Sequence, residues 1–204
     1  GDKTLYMDIP DLFGNPDMPG DHCFIGPVHG SSNPKLPVWW NRTDRNRPVI
    51  FLSPGSSGST SAAQTVLQTL SDMDVTVLLA TAGRMSDSDL PENVYAADYI
   101  PGPAAAEKAD LLICNGGSGM AYMSLAAGKP VLSLPVLLDQ YYVSESIERA
   151  GAGRVLRTGG LRACSVRKTV NRMLGNPLYR ENALKLARSI RKRNPHNTFE
   201  NIVR

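Results

Sequence analysis

Residues 111–140, LLICNGGSGMAYMSLAAGKPVLSLPVLLDQ, constrain the fold more than any other stretch of the chain. Leu111–Cys114 is a short apolar run of the kind that forms a buried strand. Asn115 and the turn Gly116-Gly117-Ser118-Gly119 follow. Met120–Ala127 then has helical character and is stopped by Gly128 and Pro130. A second apolar run, Val131–Leu134, returns as a strand and ends at Pro135. Strand, glycine turn, helix and strand make a βαβ unit. The glycines let the backbone come close to a ligand, and the helix N-terminus points N–H groups at it, a combination that suits a phosphate. On glycines alone, a tight turn that packs helix on sheet explains the pattern equally well.

The same alternation runs through most of the chain. Pro48–Ser53 (PVIFLS) reads as a buried strand and Pro54–Gly58 as a loop of small residues, with Ser59, Thr60 or Ser61 placed to cap the next helix. Ala63, Val66, Leu67 and Leu70 fall at i, i+3, i+4 and i+7 and give that helix one apolar face. Val75–Ala80 is the next strand and completes a second βαβ unit. Residues 83–93 read as a polar loop, Val94–Ile100 as a strand and Pro103–Ala109 as a short helix. Beyond Gln140, a helix is expected over Tyr141–Ala150, broken by Gly151-Ala152-Gly153, then a last short strand over Arg154–Arg157. Two helices follow, one presenting Val166, Val170 and Met173, the other Ala183, Ala187 and Ile190, with Asn176-Pro177 between them. Strands alternating with helices, without hairpin signals, imply an α/β fold: a Rossmann-like parallel sheet with helices on both faces. Such sheets bind ligands at the carboxyl ends of their strands. Ser53–Ser57, Tyr99–Gly102, Asn115–Met120 and Asp139–Gln140 all follow predicted strands and are therefore expected on one rim.

The first 47 residues differ. Pro16, Pro19, Pro27, Pro34 and Pro37, with many Gly, Asn and Asp, mark turns and linker. Asp21–Val28 (DHCFIGPV) holds one short strand candidate. Trp39 and Trp40 are expected to anchor the linker on the following domain, since large aromatics carry much burial energy. A chain of 204 residues, 42% hydrophobic and 20% charged, suits one soluble globular domain with its own core. No apolar run is long enough for a transmembrane helix and no signal peptide is visible. The first residue is Gly1, not Met, so the expectation is an excised or processed chain. Cys23, Cys114 and Cys164 lack metal spacing and are odd in number, which fits a reducing cytoplasm. His22, His29 and His196 are scattered, and Asp72 and Asp74 sit in a turn, so neither a metal nor another cofactor is expected. Charge is divided unevenly. Residues 1–153 carry nine Lys+Arg and 17 Asp+Glu, whereas residues 154–204 carry 13 and two. The basic segment includes Arg154, Arg157, Arg167, Lys168, Arg172, Lys185, Arg188, Arg191, Lys192 and Arg193. Such a segment either makes peripheral contact with an anionic membrane or forms a solvated helical face that balances the acidic body. Nucleic acid is not an expected partner, because no recognised binding motif accompanies the charge.

The glycine turn, the run LAAGKPVLSLP and the pair Asp139-Gln140 together are similar to the donor-site signature of GT-B glycosyltransferases, of the type that glycosylates small molecules and antibiotics. The resemblance covers roughly residues 5–155 and is strongest over 94–155. It implies that residues 48–204 form the half that binds a nucleotide sugar, UDP- or dTDP-linked, and that residues 1–47 are the interdomain crossover. A separate N-terminal half would bind the small-molecule acceptor and supply the base. A terminal helix that crosses back to that half would account for the end of the chain. The resemblance also implies site roles. Ser53, Gly55, Ser56 and Ser57 form the first donor loop, reaching the phosphates or the sugar. Tyr99 stacks on the base, with backbone hydrogen bonds beside it at Ile100. Gly117, Ser118, Gly119 and Met120 direct N–H groups at the diphosphate, where they would stabilise the charge gathering on the leaving group. Asp139 and Gln140 recognise sugar hydroxyls. Two positions depart from the pattern: Asn115 stands where relatives have a diphosphate-contacting His, and Met123 where many carry a ribose-binding Glu. No residue is a candidate catalytic base. Other readings are a sugar-nucleotide epimerase of the same fold, which would need acid/base residues in the cleft, one chain of a two-chain transferase, and a degenerate nucleotide-sugar-binding or partner-docking module without catalysis.

Overall fold

The computed structural model describes residues 3–14, 17–28, 35–85 and 90–203, with backbone alone at 196 and 201–203. His29, linker positions 30–34 and residues 86–89 of the polar loop lie outside the described residues.

The chain begins with a small parallel pair, β1 (Thr4–Tyr6) and β2 (His22–Phe24), separated by the short helix α1 (Pro10–Phe13). Here the structure adds to the sequence reading, which has only turns before Asp21. Ile9 and Leu12 are the reason this segment is ordered: both are buried in the core of the larger unit. The expected tryptophan anchor is present too. Trp39 donates its indole N–H to Ala96 O at 2.8 Å, and the Lys108 ammonium lies 4.3 Å from the centre of the Trp40 ring.

The main sheet has strands β3 (Val49–Ser53), β4 (Thr76–Ala80), β5 (Val94–Ala97), β6 (Leu111–Cys114), β7 (Val131–Ser133) and β8 (Gly153–Val155). All pair in parallel, in the order β5-β4-β3-β6-β7-β8. Its helices are α2 (Thr60–Ser71), α3 (Gly102–Lys108), α4 (Ser118–Ala126), α5 (Leu138–Arg149), α6 (Ala163–Gly175), α7 (Leu178–Arg191) and α8 (Pro195–Val203). The continuous apolar strands explain the layering. Successive side chains on a strand point to opposite faces. Val49 and Phe51, with Leu112 and Cys114, therefore enter one core under α4 and α7. Ile50 and Leu52, with Leu111 and Ile113, enter the other under α2 and α6. Both cores are apolar, which is the α/β arrangement with helices on both faces.

Three boundaries differ from the sequence reading. β5 ends at Ala97, because Asp98 leaves the ladder and accepts from the Thr81 hydroxyl at 2.6 Å. α5 begins at Leu138, three residues before the expected start, so Asp139 and Gln140 lie inside its first turn. α8, opened by Pro195, is a third terminal helix where two are expected. The charge imbalance is partly internal. Arg154, Arg167, Arg180 and Arg193 pair with Glu148, Asp72, Asp110 and Asp11, while Arg157, Lys168, Arg172 and Lys192 are exposed. Among the described residues no helix is long and apolar enough to cross a membrane.

Cys114 gives this core a pH signature. Burial disfavours the thiolate and raises the thiol from 9.0 to about 11, against a smaller opposing effect of the Gly116 N–H. The unfolded chain ionises first, so the contribution is complete below pH 9 and declines as pH rises from there towards 11. Between pH 8 and pH 10 the loss is about 1 kcal/mol. Urea unfolding at those two pH values should show a correspondingly larger fall for the natural chain than for Cys114→Ala. An equal fall in both would show that another group is responsible.

Candidate functional site

Strand order fixes where a site belongs. Chain connection runs outward from β3 through β4 to β5, then returns to β6 and proceeds the other way to β8. The switch point lies between β3 and β6, and a crevice opens there at the carboxyl ends. The loops after these two strands, residues 54–59 and 115–117, therefore face each other.

They are joined through Asn115. Its side chain is 7% exposed, with Oδ1 accepting the Gly117 N–H at 3.2 Å and Nδ2 donating to Ser57 Oγ at 3.1 Å. A Cβ added at Gly55 would lie 3.2 Å from Asn115 Nδ2, and one at Gly58 would lie 2.1 Å from Pro54 O. Small residues are thus required where the first loop folds over the asparagine. Ser59 caps α2, accepting the Ala62 N–H at 3.2 Å. Arg84 completes the loop by donating to Gly55 O at 2.9 Å and Gly58 O at 3.0 Å. Nothing in the local sequence around Arg84 signals that role, since its targets are carbonyls 26 and 29 residues away.

The second loop delivers α4. Its first intrahelical bond is Ala121 N–H to Gly117 O, at 3.1 Å, and no side chain caps it. The N–H groups of Ser118, Gly119 and Met120 therefore have no acceptor in their own helix. Ser118 and Gly119 are exposed, and a Cβ at Gly119 would meet nothing within 4 Å. This end of the helix carries partial positive charge.

Beside it lies a cavity of about 690 Å³, lined by Tyr99, Ile100, Gly102, Gly119, Met120 and Met123, with Glu107, Lys129 and Arg191 also in its wall. Tyr99 is 71% exposed in this wall, while Ile100 is buried. Met123 lies across Gly102, whose added Cβ would come within 2.4 Å of its sulfur, so the methionine both packs on the core and walls the cavity. Lys129, the lysine of the AAGKP run, is used internally: its ammonium donates to Glu107 O and Ala109 O, closing the end of α3. Burial, then the Arg180 guanidinium, lowers its pKa below the usual lysine value.

The last pair divides. Asp139 is exposed in the first turn of α5. Gln140 is 2% exposed, and its Oε1 accepts the N–H groups of Val136 at 2.9 Å and Leu137 at 3.2 Å. Its Nε2 donates to Ser57 Oγ at 2.9 Å. Gln140 thus caps its own helix and braces the first loop. Of the expected first-loop residues, Ser56 and Ser57 are exposed, whereas Ser53 is 6% exposed at the end of β3. The sequence-predicted segments are brought to one rim, but Ser53, Asn115 and Gln140 form its inner scaffold. Among the described residues no group of three or more His, Cys, Asp or Glu is placed to hold a metal ion.

Comparison with known proteins places the chain in a family. Residues 64–202 match the family described as erythromycin biosynthesis protein CIII-like, C-terminal domain. Over 187 residues the chain is 43% identical to a PGL/p-HBAD biosynthesis glycosyltransferase of Mycobacterium tuberculosis, covering 92% of this chain and 44% of that protein. A PGL/p-HBAD biosynthesis rhamnosyltransferase of Mycobacterium bovis is 41% identical, with 92% and 42% covered. The chain spans less than half the length of these relatives. The spinosyn rhamnosyltransferase SpnG complexed with thymidine diphosphate superposes with a TM-score of 0.83 at 20% identity, covering 98% of this chain and 56% of that one.

Proposed function

The chain belongs to the erythromycin biosynthesis protein CIII-like C-terminal domain family, as a C-terminal GT-B glycosyltransferase half, and from that premise we propose that it holds the nucleotide-sugar donor of a glycosyl transfer. The observation that carries the proposal is the uncapped N-terminus of α4, with N–H groups of Ser118, Gly119 and Met120 at the switch point beside the cavity. In this reading the diphosphate sits on those N–H groups and the Ser57 hydroxyl. The base lies in the cavity under Tyr99, and the sugar extends towards Asp139. Glycosyl transfer breaks the bond between the sugar's anomeric carbon and the diphosphate, and the leaving group gathers charge. Fixed N–H donors favour that charge more strongly as it develops. The acceptor, a small molecule, and the base that deprotonates its hydroxyl belong to an N-terminal half. The purified chain is accordingly expected to bind nucleotide and to transfer no sugar; multiple turnovers by this chain alone would overturn the division of labour.

Calorimetric titration with UDP and dTDP tests the binding reading, and failure of both to bind overturns it. The two ligands also test donor type. The wall built by Met120, Met123, Ala126 and Ala127 has no strong acceptor for a 2′-hydroxyl. dTDP is therefore expected to bind at least as well as UDP, and Met123→Glu to shift preference towards UDP by roughly 1 kcal/mol, the scale of one hydrogen bond. UDP binding more than tenfold tighter in the natural chain contradicts the deoxyribose assignment. Asp139 is assigned to the sugar. Asp139→Ala should weaken an intact nucleotide sugar and spare the free diphosphate, while equal losses for both would remove Asp139 from sugar recognition.

A further inference from the structure

The hydroxyl of Ser57 has a polarity imposed on it. A serine Oγ has one proton to donate and two lone pairs to fill. At Ser57 both lone pairs are taken, by Asn115 Nδ2 at 3.1 Å and Gln140 Nε2 at 2.9 Å. Neither amide is free to turn over. Asn115 Oδ1 holds the Gly117 N–H, and Gln140 Oε1 holds those of Val136 and Leu137. Reversing either amide would set N–H against N–H at the backbone. Both amides are buried, while Ser57 itself is exposed. The hydrogen-bonding capacity left on the Ser57 hydroxyl is its proton.

We propose that Asn115 and Gln140 are positioning residues that make Ser57 an obligate donor to an unprotonated phosphate oxygen of the nucleotide's diphosphate, an inference that rests on the nucleotide reading above. A hydroxyl with free lone pairs serves a sugar hydroxyl or a phosphate alike. A donor-only hydroxyl favours the phosphate: a sugar hydroxyl also accepts, but the charged phosphate oxygen accepts more strongly and brings no proton. The asparagine thereby acts on the diphosphate without touching it: one amide joins the α4 turn to the serine. Gln140 links α5 to the same atom, so two loops and a helix set the role of one hydroxyl.

The test is a thermodynamic cycle in dTDP and UDP affinity on the full chain. Gln140→Glu keeps an oxygen for the Val136 and Leu137 N–H groups but replaces the N–H that feeds Ser57 with a second acceptor, which draws the serine proton inward. Asn115→Asp does the same from the other side, and provides a second route if either variant folds poorly. Ser57→Ala and each carboxylate variant are expected to weaken binding about tenfold, measured well below the melting temperature of each variant. In the Ser57→Ala background the carboxylate substitutions are expected to cause no further loss. If they repel the diphosphate directly by charge, the loss persists in that background and the inference is overturned. It is also overturned if either carboxylate variant folds and binds like the natural chain. Absence of any nucleotide binding by the natural chain overturns the nucleotide reading together with this inference, whereas tight binding with additive losses overturns the inference alone.

Discussion

Gly119→Trp is expected to weaken dTDP and UDP binding by well over tenfold, about 1.4 kcal/mol or more, while leaving the fold intact. Gly119 is exposed at the second position of α4, and an added Cβ there meets no protein atom within 4 Å. The protein itself therefore has no need of a glycine at this point. A ligand does: an indole here would cover the N–H groups of Ser118 and Met120 and occupy the mouth of the 690 Å³ cavity. Calorimetry gives the affinity and thermal unfolding the stability. Gly119→Ala should fall between the two, since a methyl group narrows the approach without closing it. Unchanged nucleotide affinity in Gly119→Trp would remove the diphosphate from the end of α4.

Gly116→Val should have the opposite character, a loss of stability of about 2–5 kcal/mol wherever the ligand binds. Gly116 has φ of +78°, a left-handed conformation that costs a β-branched residue about 1–2 kcal/mol. Its added Cβ would also fall 2.1 Å from Ser144 Oγ and 3.3 Å from Gln140 O, so α5 packs directly on the turn, and overfilling such a contact costs typically about 1–3 kcal/mol. Ser144 Oγ is buried without a hydrogen-bond partner among the described residues. Ser144→Ala should therefore be close to neutral alone and should recover part of the loss in Gly116→Val. Urea unfolding with an unchanged denaturant slope measures both. A Gly116→Val chain as stable as the natural one would show that the α4 and α5 loops shift apart without cost.

These two glycines stand three residues apart in one turn, and the sequence presents them alike. Only packing separates them. Gly116 is held by the proximity of α5, a helix that starts 22 residues later. Gly119 is exposed on the cleft. The same limit applies to the polar residues. Asp139 and Gln140 are adjacent and were both expected at the sugar, yet the first turn of α5 sends one side chain outward and folds the other back onto Val136 and Leu137. A one-residue step on a helix turns a side chain by about 100°, so where the helix starts decides which neighbour meets a ligand. The expected start at Tyr141 left Leu137 and Leu138 unassigned; both are exposed, and the helix opens at Leu138.

What the sequence determined by itself was the sheet and its rim. The apolar runs at Val49–Ser53, Thr76–Ala80, Leu111–Cys114 and Val131–Ser133 are buried on both faces, and only parallel strands covered by helices satisfy that pattern. Once they are parallel, the segments after each strand must share one edge. What only the tertiary structure decided was which of those residues reach the cleft. Arg84 spans to the Gly55 and Gly58 carbonyls, and Ser57 receives amides from another loop and from the first turn of α5. Tyr122 reaches back from α4, donating to Asp8 at 2.8 Å and accepting the Ile9 N–H at 3.3 Å, and so ties the first segment to the core. Burial periodicity is written locally, in neighbouring residues. Hydrogen-bond partners are set by which loops the closed sheet brings together, and that information exists only once the chain has folded.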